Sequence, residues 1–514
     1  MPRRVFDTKV MTAIGYLRWF FNYQREEIQL LLGARGIQIS TGEISKLSEE
    51  FLLRFYTVHK NHSYQMKELF ETNKGFILHL DGNAEAGDEI TFTAKEGMTE
   101  ITIDSWIIPS ESRQYIKPFL QHIKTTCGSP FVVIRDMSKE ISEAAYEVFP
   151  KVPHQICHTH YVRNLGDILF KHRYKTLRNK IVNAKILSKF APLKKACFEG
   201  KTSKNKMVAA EHYWVLLAIE DILYPRECRS DYPFVLPYLE VMKRVMEIAS
   251  MARKIVMWNA RHNFGVNVVL KFNAYLKKLD DDKDVKLYFT TIGHIWGWFE
   301  EIRKVLRVSR EFSGKEQNNI ATDADKLKKN TILTMMKIRG EGRKIGGDLK
   351  IVSEKIYENC QSHMDELFVK VVNNEGKILD VVRHNALEEL NHRWSRMHIR
   401  RRTGRSKTTK EMTKYGALLA VLSNLENEVY VKTVLGDVDD FVRELQNVTD
   451  EELREARQLI RRFPQHPLVK SDVKRPKILR DFVALVEDEF NDVPDVDVGV
   501  WLSNFVGTDA RMTP

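Results

Sequence analysis

Cysteine is scarce in this chain: Cys127, Cys157, Cys197, Cys228 and Cys360 stand singly along 514 residues. An odd, scattered count with no Cys-x-x-Cys pair argues against a disulfide framework and against a Cys-rich zinc module. A reducing, cytoplasmic compartment is therefore expected. Long apolar runs are missing too. No window reaches the roughly 18 uninterrupted apolar residues of a membrane span, and "MPRRVFDTKVMTAIGYLRWFF" lacks the apolar region of a signal peptide. A soluble protein without a membrane partner follows. Internal repeats are also absent, and 43% apolar content in 514 residues allows two to four domains.

Acidic residues are missing from two stretches. None occurs between Asp167 and Glu199, and none from Leu390 to Lys410, where Arg393, Arg396, Arg400, Arg401, Arg402, Arg405, Lys407 and Lys410 crowd together. The net charge is +12, yet the residues from Val431 onward hold 17 acids and 12 bases, leaving about +17 on the first 430. Such a basic body suits a polyanion, of which nucleic acid is the commonest.

Local pattern divides the chain into five parts. Residues 1–70 read as helices, with one running to about Leu32, a Gly-bearing turn, and another opened by Ser40 or Thr41. That is a helix-turn-helix-like pattern, which would present Thr41, Glu43, Ser45 and Lys46 to DNA. In residues 71–170, "GFILHLDGN", "DEITFTAKEG" and "TEITIDSWIIP" are strand-like runs forming an antiparallel meander. A helix, the strand "PFVVIRD", a helix and a short strand through "HQIC" follow. The fold class is α/β, and the element order is that of an RNase H-like mixed sheet. Residues 171–380 space their apolar residues at three and four and read as a large helical insertion. Residues 381–430 return to the core with the basic track. Residues 431–514 form an acidic helical region and tail.

Asp81 and Asp136 each close an apolar strand, where a sheet offers its ligand edge. Two such carboxylates can share divalent metal, and two ions activate an attacking oxygen and stabilise the leaving one in phosphoryl transfer. Asp88 and Asp104 are worse placed, in a turn and on an alternating strand. The chemistry needs a third carboxylate, and Glu300, Glu301, Glu311, Glu388 and Glu389 all remain open on the residues alone. Cys157 and His160 in "HQICHTHYVRNL" offer only two zinc ligands with no second pair. Packing of a strand-to-helix junction that orients the active side of the sheet is the expected role.

Several stretches resemble one family. "NALEELN" at 385–391, followed by the arginine run and Gly404, resembles the third-acid motif of Mutator-type DDE transposases, which include many prokaryotic insertion-sequence enzymes. "VFPKVPHQICHTHYVRNL" at 148–165 is similar to the segment after that family's second aspartate, with Phe-Pro, Cys-x-x-His and Arg-Asn in order. "LHLDGN" matches its first-aspartate strand more loosely. The resemblance covers about 75–170 and 380–425. It implies a catalytic triad of Asp81, Asp136 and Glu388, with Glu388 preferred to Glu389 because Asn385 and Asn391 flank it at three residues on either side. It further implies two Mg2+ or Mn2+ ions, and DNA as partner at transposon ends and target. Arg163, Arg393, Arg396, Arg400, Arg401, Arg402 and Arg405 are the expected backbone contacts. A homo-oligomer, nucleoid association in a prokaryote and no small-molecule substrate complete the expectation. A non-catalytic regulator derived from a transposase and a structure-selective nuclease of the same fold are the rivals.

Overall fold

The computed structural model describes residues 6–83, 89–227, 232–264, 267–308, 323–373, 375–405, 407–436 and 438–460, with backbone only at 226–227, 386–391 and 438–439. Its architecture is α/β, mostly helical, around one five-stranded mixed sheet of order β3-β2-β1-β4-β5. The strands are β1 (Ile77–Asn83), β2 (Ile90–Glu96), β3 (Thr102–Ile108), β4 (Val132–Arg135) and β5 (His154–Ile156). As the alternation of the three runs requires, β1, β2 and β3 form an antiparallel meander, pairing Asp81 with Thr93 and Thr93 with Ser105. The chain divides into two compact units. One comprises residues 1–133, 138–152 and 387–514, and the other residues 134–137 and 153–386.

The first unit is built on the meander. Before it come α1 (Thr8–Gly15), α2 (Arg25–Gly33), α3 (Thr41–Asn61) and α4 (Ser63–Thr72). Ser40 caps α3, its hydroxyl accepting from the Glu43 N–H at 3.1 Å, as the sequence signal implies. After β3, α5 (Arg113–Cys127) places Ile116, Phe119, Leu120 and Ile123 at helical spacing against the sheet. Phe119 meets Phe92 and Trp106 edge-on, with ring centroids 5.3 and 5.2 Å away. Helix α6 (Lys139–Val148) lies beside α5.

Residues at alternate positions of a strand take opposite faces. Leu78 and Leu80 therefore enter the core, while His79, Asp81 and Asn83 take the other face with Thr91, Thr93 and Lys95. The edge strand β3 is covered. The Asn424 side chain accepts from the Thr102 N–H at 2.8 Å and donates to the Thr102 carbonyl at 2.9 Å, standing in for a further strand.

The second unit is a helical array. It runs through α7 (His158–Asn183), α8 (Ile186–Gly200), α9 (Lys206–Glu227), α10 (Pro237–Arg261), α11 (Asn267–Asp280), α12 (Lys283–Val305), α13 (Ala324–Ile345), α14 (Gly347–Ser362) and α15 (Met364–Leu367). Their apolar faces share one core that includes Tyr161, Phe170, Phe190, Phe272 and Phe299. One detail departs from the helical reading: Val371–Val372 and Ile378–Leu379 pair as a two-residue hairpin. Its turn is set by Asn373, whose side chain accepts from the N–H groups of Glu375 and Lys377, and by Gly376 at φ 80°.

The chain then enters α16 (Ala386–Thr403) and α17 (Thr409–Leu422), and further helices reach Ile460. Gly404, at φ 67°, terminates α16 in the left-handed conformation favoured by glycine. Among the described residues no helix is long and apolar enough to cross a membrane. The acidic segment "ILRDFVALVEDEF" and the tail, expected to continue the C-terminal region, lie outside the described residues.

Candidate active site

Asp81 does not end its strand. It is the fifth of seven residues in β1, because Thr93 and Thr91 continue the ladder opposite Asp81 and Asn83. The carboxylate is 6% exposed, and its Oδ2 stands 3.6 Å from Nε2 of His392 on α16. That separation is too long for a hydrogen bond. His392 Nε2 is buried and has no hydrogen-bond partner. Burial, with Arg396 and Lys95 nearby, pushes this histidine down to about 3, so the ring is neutral.

Packing fixes α16 above β1 through residues spaced three and four apart. Arg396 donates to the Asn83 side chain, Ile399 enters the core, and Trp394 stacks on His398 with ring centroids 3.8 Å apart. Helix α17 flanks the same face. Gly416 permits its approach, since a Cβ there would collide with Thr91.

The expected arginine track therefore has two sides. Arg393, Arg400, Arg401 and Arg405 are exposed, whereas Arg402 is 5% exposed. Its guanidinium lies 3.8 Å from the Trp19 ring centroid and pairs with Glu411 at 2.9 Å, and burial lowers it to about 10. Arg402 thus faces protein rather than solvent, as the i, i+3 and i+7 relation to Ile399 and Ser395 requires. Ser45 of α3 and Arg405 line one cleft of about 320 Å³, together with Arg18, Arg25 and Glu49. Thr41 is half-buried, and Lys46 is exposed and pairs with Glu43 at 3.4 Å.

In the second unit, Asp136 follows β4 and is half-buried. The Cys-x-x-His segment lies beside it. Cys157 is the N-cap of α7, at the junction between β5 and the helix. The Cys157 N–H donates to the Arg135 carbonyl at 2.7 Å, and its Sγ accepts from the Asn385 N–H at 3.1 Å. Around this point β5 and α7 grip the segment leading into α16. The His158 N–H donates to the Arg383 carbonyl at 2.9 Å, Arg383 Nη1 donates to Gln155 Oε1, and Thr159 Oγ1 lies 3.1 Å from His384 Nδ1. Burial pushes His158 down to about 4. The half-buried His160 lies in the first turn of α7, and Arg163, also half-buried, holds its guanidinium 5.7 Å from the Phe234 ring.

The other acids occupy distinct settings. Asp104 is locked on the α5 side of the sheet, accepting from Tyr56 at 2.8 Å and Trp106 at 3.1 Å and facing His122 at 3.0 Å. Glu300 is buried against Arg303, and Glu301 pairs with Lys337. Asp88 and Glu311 lie outside the described residues. Glu388 and Glu389 fall in the first turn of α16, and their side chains lie outside the described residues. No group of three or more histidine, cysteine or acidic side chains able to hold a metal is found among the described residues.

Sequence reasoning missed His392, Arg383 and Gln155. Of these only His392 carried a signal, standing one helical turn after Glu388 in "NALEELNH".

Comparison with known families finds a match in this part of the chain. The model of the Mutator family of transposases matches residues 91–199, which hold most of β2, then β3, Asp136, the Cys-x-x-His segment and α7. That stretch resembles the family and supports a transposase role. Asp81 and the "NALEELN" segment fall outside the match. A search of curated proteins returned no match.

Proposed function

We propose that this protein is a DDE transposase that cleaves DNA at transposon ends and joins the released 3′-hydroxyl to target DNA. The reading assigns Asp81, Asp136 and Glu388 as metal ligands on an RNase H-like core, and α2 and α3 as a helix-turn-helix-like reader of DNA. The observation that carries it is the Cys157 junction. One cysteine holds the strand end next to Asp136 through its N–H and receives the Asn385 N–H three residues before Glu388. The segment bearing the second acid and the segment leading to the third are thereby tied through a single residue.

The buried Asp81, facing an imidazole nitrogen without a partner, fits a divalent cation. Two Mg2+ or Mn2+ ions, when bound, would activate the attacking oxygen and stabilise the leaving one. The chain's own residues supply position and charge. Arg393, Arg400, Arg401 and Arg405 offer an exposed track for phosphates. Cys157, Gln155 and His158 hold the approach to α16 rigid. Water attacks the phosphodiester at the element end, and the freed 3′-hydroxyl attacks target DNA, each in line. Synapsis of two ends calls for a homo-oligomer.

The test uses the DNA flanking the gene as substrate. Asp136→Asn is expected to retain DNA binding and lose Mg2+-dependent cleavage, and unchanged cleavage refutes the assignment. Pre-cleaved ends incubated with a target plasmid are expected to give joined product. Cleavage without joining would identify a nuclease, and binding without either would identify a regulator.

A further inference from the structure

Beside Asp81 on β1 lies an imidazole whose Nε2 makes no hydrogen bond. His392 is 7% exposed, yet its Nε2 makes no hydrogen bond, whereas buried polar atoms in folded proteins nearly always find a partner. Its position is fixed from both sides of α16. Ser395 and Ile399 are buried beneath the helix, and Arg396 reaches Asn83, two residues along β1 from Asp81. The ring is thus aimed at the carboxylate without bonding to it.

The 3.6 Å between His392 Nε2 and Asp81 Oδ2 has a simple meaning in coordination chemistry. Nitrogen and oxygen ligands each about 2.0 to 2.2 Å from one ion lie roughly 3 to 3.6 Å apart. We propose that His392 is a nitrogen ligand beside Asp81, so that the site holds a transition-metal ion such as Mn2+ or Co2+ in preference to Mg2+. This rests on the catalytic reading above and deepens it by naming a nitrogen ligand beside Asp81 and the metal class. Mg2+ favours oxygen ligands and retains its waters, whereas an imidazole raises affinity for later divalent metals. In the sequence His392 stands one helical turn after Glu388, on the same helix α16.

The test reads the metal directly. The full chain is titrated with Mn2+, free ion being followed by electron paramagnetic resonance, and bound Mn2+ is examined by electron spin echo modulation for coupling to 14N. Wild type is expected to bind Mn2+ with 14N coupling and to resist competition by Mg2+. His392→Ala should lose that coupling and at least about tenfold in Mn2+ affinity, with little change for Mg2+. His392→Glu restores a ligand and keeps the helix packed. It should bind Mn2+ without 14N coupling and yield more readily to Mg2+, so loss of fold in the alanine variant does not leave the question open. Asp81-dependent Mn2+ binding without 14N coupling, or coupling that survives in His392→Ala, overturns the role of His392 and leaves the catalytic reading standing. Mn2+ binding that is unchanged in Asp81→Asn overturns both.

Discussion

The carboxylates of the helical array and the carboxylate of β1 are handled in opposite ways. In the array, Glu300 lies against Arg303, Glu354 against Arg339 and Arg343, Asp348 against Arg173, and Asp280 against Arg253. These acids meet permanent cations, and their charge is spent on holding helices together. On β1, Asp81 is as buried as Glu300 but faces a neutral imidazole across a gap. The contrast separates acids that complete the fold from one set beside a nitrogen of the kind that binds metal.

The sharpest way to break that contrast is to replace each kind of acid partner and see which property moves. Asp81→Asn preserves shape. It should cut metal-dependent cleavage about a thousandfold or more while leaving the thermal midpoint and DNA binding in place. A lost fold would mean that Asp81 is structural. The counterpart is Arg303→Ala, which removes the cation paired with the buried Glu300. It should cost about 3 to 5 kcal/mol of stability, measured by denaturant unfolding. A small effect would show that the array does not depend on its buried pairs.

Next in size is a pH effect. His158 is fully buried with a folded value near 4 against 6.5 ordinarily. It faces the Leu367 carbonyl, the Phe368 and His384 rings and Arg383. Between these two values the unfolded chain binds the extra proton. Stability is therefore lost as pH falls from about 6.5 to about 4, by on the order of 3 kcal/mol from this group, with no further loss below. His158→Gln should flatten that slope in unfolding curves taken across the window.

The smallest contrast lies within α16. Arg402→Ala removes packing on Trp19 and the bridge to Glu411, for about 2 kcal/mol of stability and no change in the salt dependence of DNA binding. Arg401→Ala should do the reverse, leaving the thermal midpoint alone and reducing the salt slope by about one. Equal behaviour of the two would erase the distinction between the inner and outer sides of the helix.

The strands around Asp81 and Asp136 were legible because a half-buried strand must alternate and a buried one must be apolar. The runs "FILHLD", "ITFTA" and "FVVIRD" obey those rules. The same logic located the Ser40 cap and the long helices of the array. Asp81 was misplaced by two residues because strand ends depend on the partner strand, and Thr91 and Thr93 are not read from β1 itself. Arg402 could not be told from Arg401 in a run of three arginines. Only the helix phase, fixed by Ile399 in the core, sends one inward.

Local periodicity and residue chemistry by themselves determined the class of fold, the basic track, the strand-borne acids and the resemblance carried by "HQICHTHYVRNL" and "NALEELN". These properties follow from short-range sterics and hydrophobic pattern, which each segment carries alone. Tertiary structure alone decided that Cys157 clamps Asn385, that His392 meets Asp81 and that Arg402 rests on Trp19. Those pairings join residues far apart in the chain, and nothing in a local stretch specifies which distant partner will arrive.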